Sequence, residues 1–271
     1  MTLPFLCGLF ALLCGVALAA GAPLPVHEVV GSEFDYTATS KDSLRGLASR
    51  YGAPVEVLAA MNHLRSNSRL KAGQVLHIDN RHIPPRKLDR GIVVNVPQRM
   101  LFFFDPGEAA TAYPVAVGKP TWPTHLGTFT VTRLEKDPTW IVPESIQLEM
   151  KEDGEEVKTV VPPGPNNPLG DYAIHLSIPG YLLHGTNAPW TIYSFRTHGC
   201  IRLSPKNAEA LYRRVKVGDP GEIIYQRTML AGLPDGRVFA EVDKDIYRRA
   251  PDPVQALRIM AEAGDLSARI D

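Results

Sequence analysis

From Gly91 to Tyr225 no apolar run is long, and nearly every run is β-branched or aromatic and closed by Gly or Pro. Ile92-Val93-Val94-Asn95-Val96 stops at Pro97, and Leu101 to Phe104 stops at Asp105-Pro106-Gly107. Tyr113-Pro114-Val115-Ala116-Val117 stops at Gly118. Such residues favour pleated, half-buried surfaces, and the punctuation leaves no room for long helices, so 91–225 is predicted to be mostly β. One helix is expected from Pro205 to Val215, capped by Ser204, with Leu211 and Val215 inward. Beyond Tyr225, Pro234-Asp235-Gly236 turns into a strand Val238–Val242, and 253–263 reads as helical. This extension, 226–271, is expected to pack on the domain before it.

A second unit occupies 35–79. Tyr36-Thr37-Ala38 is a short strand, and Ser40 to Ser43 starts a helix carrying Leu44, Leu47, Ala48 and Tyr51 at helical spacing. Gly52 stops it, and Pro54 opens a second helix whose predicted inward face is Val57, Leu58 and Met61. Leu70 to Gln74 turns into a strand Val75–Ile78. The order is βααβ, a small α+β module. Residues 80–90, with Pro84-Pro85 and several charges, are read as a semi-stiff linker.

Residues 1–22 are apolar and end in Ala17-Leu18-Ala19-Ala20-Gly21, the pattern of a secretory signal peptide; an uncleaved anchor is the alternative. Cleavage would remove Cys7 and Cys14 and leave Cys200 as the sole cysteine, so no disulfide would support the fold. The formal net charge is zero, which gives no electrostatic footprint for nucleic acid and no attraction to an anionic membrane.

The chemistry concentrates between His184 and Arg202, which includes Thr197-His198-Gly199-Cys200-Ile201-Arg202. A free thiol has a pKa near ~8.5, and a neighbouring imidazole is the usual activator. His184 and His198 are the candidates, Gly199 permits a sharp turn, and nearby amides could face an oxyanion. An inert core cysteine is the bland reading, but Gly, His and Arg are poor apolar company. Zinc on His198, Cys200 and His184 or His175 is a further alternative, weakened by the lack of CxxC and HExxH.

His184-Gly185-Thr186, followed by Thr197 to Arg202 with His184 and Cys200 sixteen positions apart, resembles the YkuD-type L,D-transpeptidase catalytic domain. The runs at 92–104 and 113–118 resemble its first strands, and Pro162 to Gly170 resembles a loop of the ErfK/YnhG-like periplasmic branch. The likeness implies a β-sandwich with a short helix. It implies Cys200 as nucleophile, His184 as base oriented by the Gly185 carbonyl, and amides around His198, Gly199 and Cys200 as oxyanion hole. Arg202 would hold a substrate carboxylate, with Thr186, Asn187 and Trp190 also on the substrate side; Trp190 either walls the cleft or packs beneath it. Where many members read Thr-Pro-x-Gly, this chain has Thr124-His125-Leu126-Gly127.

Residues 35–79 resemble a LysM domain through Asp42-Ser43-Leu44, Met61 to Leu64 and Leu70 to Gln74. That likeness implies binding of N-acetylglucosamine-containing glycan by two loops, with Ser40, Asp42, Ser43, Leu44, Leu64, Arg65 and Ser66 as candidate contacts.

Together the resemblances imply a periplasmic enzyme without cofactor or metal, associated with the cell wall and not held in the membrane once its leader is cleaved. It would release D-alanine from a stem tetrapeptide and pass the acyl group to another stem's diaminopimelate or to a murein lipoprotein lysine. A covering loop, Pro162–Gly170 or Trp122–His125, is expected to exclude water. A carboxypeptidase or amidase using water, and a non-catalytic peptidoglycan-binding protein, are the alternatives.

Overall fold

A computed structural model describes residues 28–233 and 236–264. The expected leader and the Pro234-Asp235 turn lie outside the described residues.

The N-terminal module runs β1 (Glu33–Thr37), α1 (Leu44–Tyr51), α2 (Val55–Met61) and β2 (Val75–Asp79), with β1 and β2 antiparallel. Ser43 caps α1 by accepting from Gly46 N, and Gly52 ends it in the left-handed conformation. Its core is Leu44, Leu47, Leu58, Ala59, Leu76 and Ile78. The inward face of α2 is corrected by one position: Leu58 and Ala59 are buried, whereas Val57 is about half exposed.

The larger unit comprises β3 (Gly91–Asn95), β4 (Met100–Phe104), β5 (Thr111–Gly118), β6 (Gly127–Lys136), β7 (Trp140–Ile141), α3 (Glu144–Glu152), β8 (Val160–Val161), β9 (Tyr172–Leu176), β10 (Leu182–His184), β11 (Phe195–Thr197), β12 (Ile201–Leu203), α4 (Pro205–Tyr212) and β13 (Pro220–Ile224). Eight strands close a ring in the order β3-β4-β5-β12-β10-β9-β6-β13, because β13 returns parallel to β3; β11 lies outside the ring along β5. The mostly β expectation therefore holds as a barrel whose walls face one core of Ile92, Val94, Leu101, Phe103, Val115, Ile174, Leu183, Ile201 and their neighbours. The hairpin β3–β4 is buried on both faces. Val93, Met100, Phe102 and Phe104 point out of the barrel, against Val30, Ile192 and Tyr193.

The extension adds a hairpin of β14 (Thr228–Gly232) and β15 (Val238–Val242), then α5 (Pro253–Ala263). Residues 80–90 differ from the expected linker, since His82, Ile83, Pro84 and Pro85 are all buried. Ile83 packs with Met229 and Ala231, its amide donates to Glu241, and His82 Nδ1 meets Glu241 Oε1 at 2.7 Å. Pro84-Pro85 equally suits a buried strap, since proline leaves few backbone donors to satisfy: His82 N donates to Val30 O at 2.8 Å and Ile83 N to the Glu241 carboxylate. The N-terminal module is docked as well: Ser49 donates to the Ile192 carbonyl at 3.0 Å, and a Cβ on Gly52 would sit 3.0 Å from Met100 Sδ.

Candidate active site

His184 ends β10 and Arg202 lies opposite it on the parallel strand β12. Leu183 and Ile201 of the same strands face the barrel core, so by strand alternation His184, Arg202 and Cys200 face outward together. They line a cavity of about 990 Å³.

The carbonyl of Gly185 lies 2.7 Å from His184 Nδ1. A carbonyl can only accept, so Nδ1 carries the proton and Nε2 presents a lone pair. Burial, with Arg202 beside it, depresses the imidazole to about 3, so it is neutral at physiological pH. Burial also pushes the Cys200 thiol up, against the opposing pull of the Leu182 amide and Arg202. Its Sγ lies 3.5 Å from the Gly180 carbonyl. The resting pair is thus a neutral thiol and a neutral imidazole, not an ion pair.

Gly199 has φ +114, and a Cβ there would meet the Tyr181 hydroxyl at 2.9 Å, so only glycine fits. Its amide donates to Thr197 Oγ1 at 3.2 Å, which already occupies one of the amides expected to face an oxyanion. Tyr181 offers a replacement. Burial keeps its phenol protonated, and His125 N–H donates to its oxygen at 3.2 Å, leaving the phenolic proton for the cavity. Proline at 125 would lack that N–H, so the departure from Thr-Pro-x-Gly supplies a bond that holds Tyr181.

Thr124 supports the same turn from behind. Its hydroxyl donates to Gly199 O at 2.9 Å and accepts from Gly118 N at 2.8 Å, while its amide donates to Tyr247 Oη at 3.1 Å. Tyr247 in turn donates to Gly118 O at 2.6 Å, so the C-terminal extension reaches the residues that shape the cysteine turn.

The cover over the cavity is the excursion β7–α3–β8. Pro143 precedes α3, Glu144 occupies its first turn and Lys151 its last, an arrangement that suits the helix dipole. Ile146, Glu149 and Met150 line the cavity. Glu149 meets Lys119 Nζ at 2.6 Å through one oxygen and His198 Nε2 through the other. Of the two loops expected to cover the site, Trp122 contributes a wall and stacks edge-on to His198, while Pro168 and Leu169 form an edge. Asn167 fastens the base of the excursion by donating to Pro138 O at 2.8 Å.

Three expected substrate contacts lie elsewhere. Trp190 is 66% exposed and lines no part of the cavity, so it neither walls the cleft nor packs beneath it. Thr186 is buried, its hydroxyl accepting from Ala188 N, and Asn187 is exposed outside the cavity lining. Arg202 does line the cavity; Nη1 donates to Thr191 Oγ1 at 2.9 Å and Nε is buried without a partner among the described residues.

In the N-terminal module, several candidate glycan contacts have internal roles. Asp42 accepts from Thr39 N, Thr39 Oγ1 and Tyr36 Oη and pairs with Arg50; Ser43 is the helix cap and Leu44 is core. Leu64 is half-buried against that core, while Ser40, Arg65 and Ser66 are exposed.

Glu149, Lys119 and Tyr181 had no signal in the sequence beyond their types, because their positions depend on strand register and on the excursion folding back.

Two family models match the chain: an L,D-transpeptidase catalytic domain over residues 89–223 and a LysM domain over residues 36–79. The probable L,D-transpeptidase YcfS of Escherichia coli K12 is 32% identical over 92% of this chain and 82% of its own length. The probable L,D-transpeptidase ErfK/SrfK of the same organism is 32% identical over 88% and 79%. Among solved structures, an L,D-transpeptidase from Mycobacterium smegmatis aligns with TM-score 0.39 and 30% identity, covering 49% of this chain and 57% of that one. A relative about one-third identical along most of both chains, together with the two domain matches, shows that this chain belongs to the L,D-transpeptidase family.

Proposed function

We propose that Cys200 is the nucleophile of a peptidoglycan L,D-transpeptidase, with His184 as its base. The observation that carries this reading is the shared outward face of Cys200, His184 and Arg202 on one covered cavity. A tetrapeptide stem brings the carbonyl of its third residue to Sγ. As sulfur attacks, its proton moves to His184 Nε2, and the oxyanion is met by the Cys200 amide and the Tyr181 phenol. The C–N bond to D-alanine then breaks, and His184 returns the proton to the departing amine. An acceptor amine attacks the thioester, loses a proton to His184 and forms the new amide; His184 then reprotonates the sulfur.

The overall exchange is amide for amide and needs no nucleotide. Because the resting pair is uncharged, thiolate develops only as the carbonyl is attacked, which limits attack by other electrophiles. Arg202 lends positive charge to the developing thiolate and lines the cavity that receives the stem, where its guanidinium would hold a stem carboxylate. His198 is a positioning residue, held by Glu149 on the cover.

The cover favours an amine over water as acceptor. Chemically, that amine is the diaminopimelate of a second stem, giving a 3–3 cross-link, or the C-terminal lysine of a murein lipoprotein. The apolar leader and the glycan-binding module support work in the periplasm against the wall, where the module raises the local concentration of stems.

Incubation with a disaccharide tetrapeptide tests the reading by intact mass. The expected adduct is the stem minus D-alanine, absent in Cys200→Ala, followed by dimeric product. Tripeptide as the sole product would replace transfer by hydrolysis, and an adduct surviving in Cys200→Ala would remove the cysteine mechanism.

A further inference from the structure

The cavity extends past the thiol to a group of three charged or polar residues that the chemistry above does not use. Arg133 Nη1 lies 3.0 Å from Glu135 Oε2, His175 Nε2 lies 2.8 Å from the same oxygen, and Arg133 Nη2 lies 3.4 Å from His175 Nδ1. All three line the cavity that also holds Cys200.

Strand register puts this group in line with the sulfur. Arg133 on β6 is opposite His175 on β9, His175 is opposite Leu182 on β10, and Leu182 stands one position before the pair Leu183–Ile201, beside Cys200. Directly opposed residues point to the same face, so Arg133, His175 and Leu182 form one row across β6, β9 and β10 that leads to Cys200, the residue before β12. The neighbouring row is Arg202, His184, Ala173 and Glu135. At ~4.8 Å per strand, His175 is roughly 10 Å and Arg133 roughly 14 Å from Cys200 along the backbone. The arginine side chain shortens that gap from its own end.

We propose that Arg133 and Glu135, oriented by His175, form a subsite for a side chain ending in a carbon that bears both an ammonium and a carboxylate, the distal centre of a diaminopimelate donor. In such a residue five bonds separate the attacked carbonyl carbon from that distal carbon, a reach of about 6–7 Å. With the carbonyl at Sγ, the three methylenes run over Leu182 and the distal centre arrives between His175 and the Arg133–Glu135 pair. Arg133 offers its planar donors to the carboxylate and Glu135 accepts from the ammonium. Besides Arg202, Arg133 is the only Arg or Lys of the cavity lining, whereas Asp153 and Glu155 add acidic groups to the same cavity. A free carboxylate on the substrate therefore has one place to pair away from the thiol. Arg133 is 58% exposed, so its replacement leaves the barrel core untouched.

This inference rests on Cys200 acting on peptide stems as proposed above. The test measures acylation of the full-length enzyme by intact mass with three tetrapeptide stems. They carry at position three meso-diaminopimelate, the same residue with its distal carboxylate amidated, or lysine, which lacks that carboxylate. Wild type is expected to prefer the free diacid by about 10- to 100-fold over the other two. In Arg133→Ala the ratio of rates should fall towards one, whereas Glu135→Gln should slow all three stems, because each carries the ammonium. Equal rates for the three stems in wild type, or a preference that persists in Arg133→Ala, overturns the subsite alone. Failure of every stem to acylate a wild-type enzyme whose Cys200 still reacts with iodoacetamide overturns the stem reading and the subsite with it.

Discussion

The carboxylate of Glu149, on the helix that covers the cavity, accepts the Nε2 proton of His198, two residues before Cys200. Its second oxygen holds Lys119, so one side chain ties the cover both to the cysteine turn and to the segment after β5.

Glu149→Gln should loosen that attachment without touching the thiol. Lys119 first, and then His198, hold the Glu149 carboxyl below its usual value, so the carboxylate is ionised at neutral pH and its contribution fades as pH falls through the depressed value. Loss of two charge-assisted bonds should raise the share of hydrolysed to transferred product by roughly tenfold, read as tripeptide against dimer by chromatography. An unchanged ratio would show that the cover does not exclude water.

The pH dependence of the thiol distinguishes the neutral pair from an ion pair. His184 stays unprotonated down to about 3 and Cys200 titrates above the ordinary thiol value. The rate of alkylation by iodoacetamide should therefore climb by about tenfold per pH unit from 6 to 8, with no plateau. A plateau reached below pH 6 would mean that the thiolate exists in the free enzyme.

Tyr247 is the point where the C-terminal extension meets the site. Tyr247→Phe removes the partner of both Thr124 N and Gly118 O and should cost about 1–3 kcal/mol of stability together with a fall in acylation rate. Tyr225→Phe provides the comparison, since it breaks the bonds to Asp245 and to Tyr247 N but leaves Thr124 alone. It should lower the unfolding midpoint with a smaller effect on acylation. Equal losses in both variants would reduce Tyr247 to a structural prop.

Asp42 should behave as a fold residue. The Thr39 amide first, with Thr39 Oγ1, Tyr36 Oη and Arg50, holds its carboxyl near 2. A depressed value means that the stabilisation is present above the ordinary carboxylate range and is lost as pH falls from about 4 towards 2. Asp42→Ala should destabilise the module by about 1–3 kcal/mol, seen in a urea titration followed by circular dichroism. Loss of glycan binding with the unfolding midpoint unchanged would return Asp42 to the binding surface.

Much of the architecture was legible from local pattern. The short β-branched runs, the Ser204 cap and the βααβ order all correspond to elements of the fold, because alternation, capping and turn chemistry act over a few residues. The inward face of α2 was misread by one position because a seven-residue helix holds too few turns to define a stripe. The strap at 82–85 was missed because Pro84-Pro85 marks extended backbone whether it is solvated or buried.

By itself the sequence determined the chemistry on offer: the Cys200 thiol beside a glycine that permits a tight turn, two imidazoles and a guanidinium, set among short strands. Only the tertiary structure decided how that chemistry is enclosed. It brought Glu149 onto His198, His125 N–H onto Tyr181, and Arg133 into line with Cys200, with Glu135 in the neighbouring row of His184 and Arg202. Those pairings join residues tens of positions apart through sheet register and a folded-back excursion, and contacts of that kind leave no period in the chain from which they could be read.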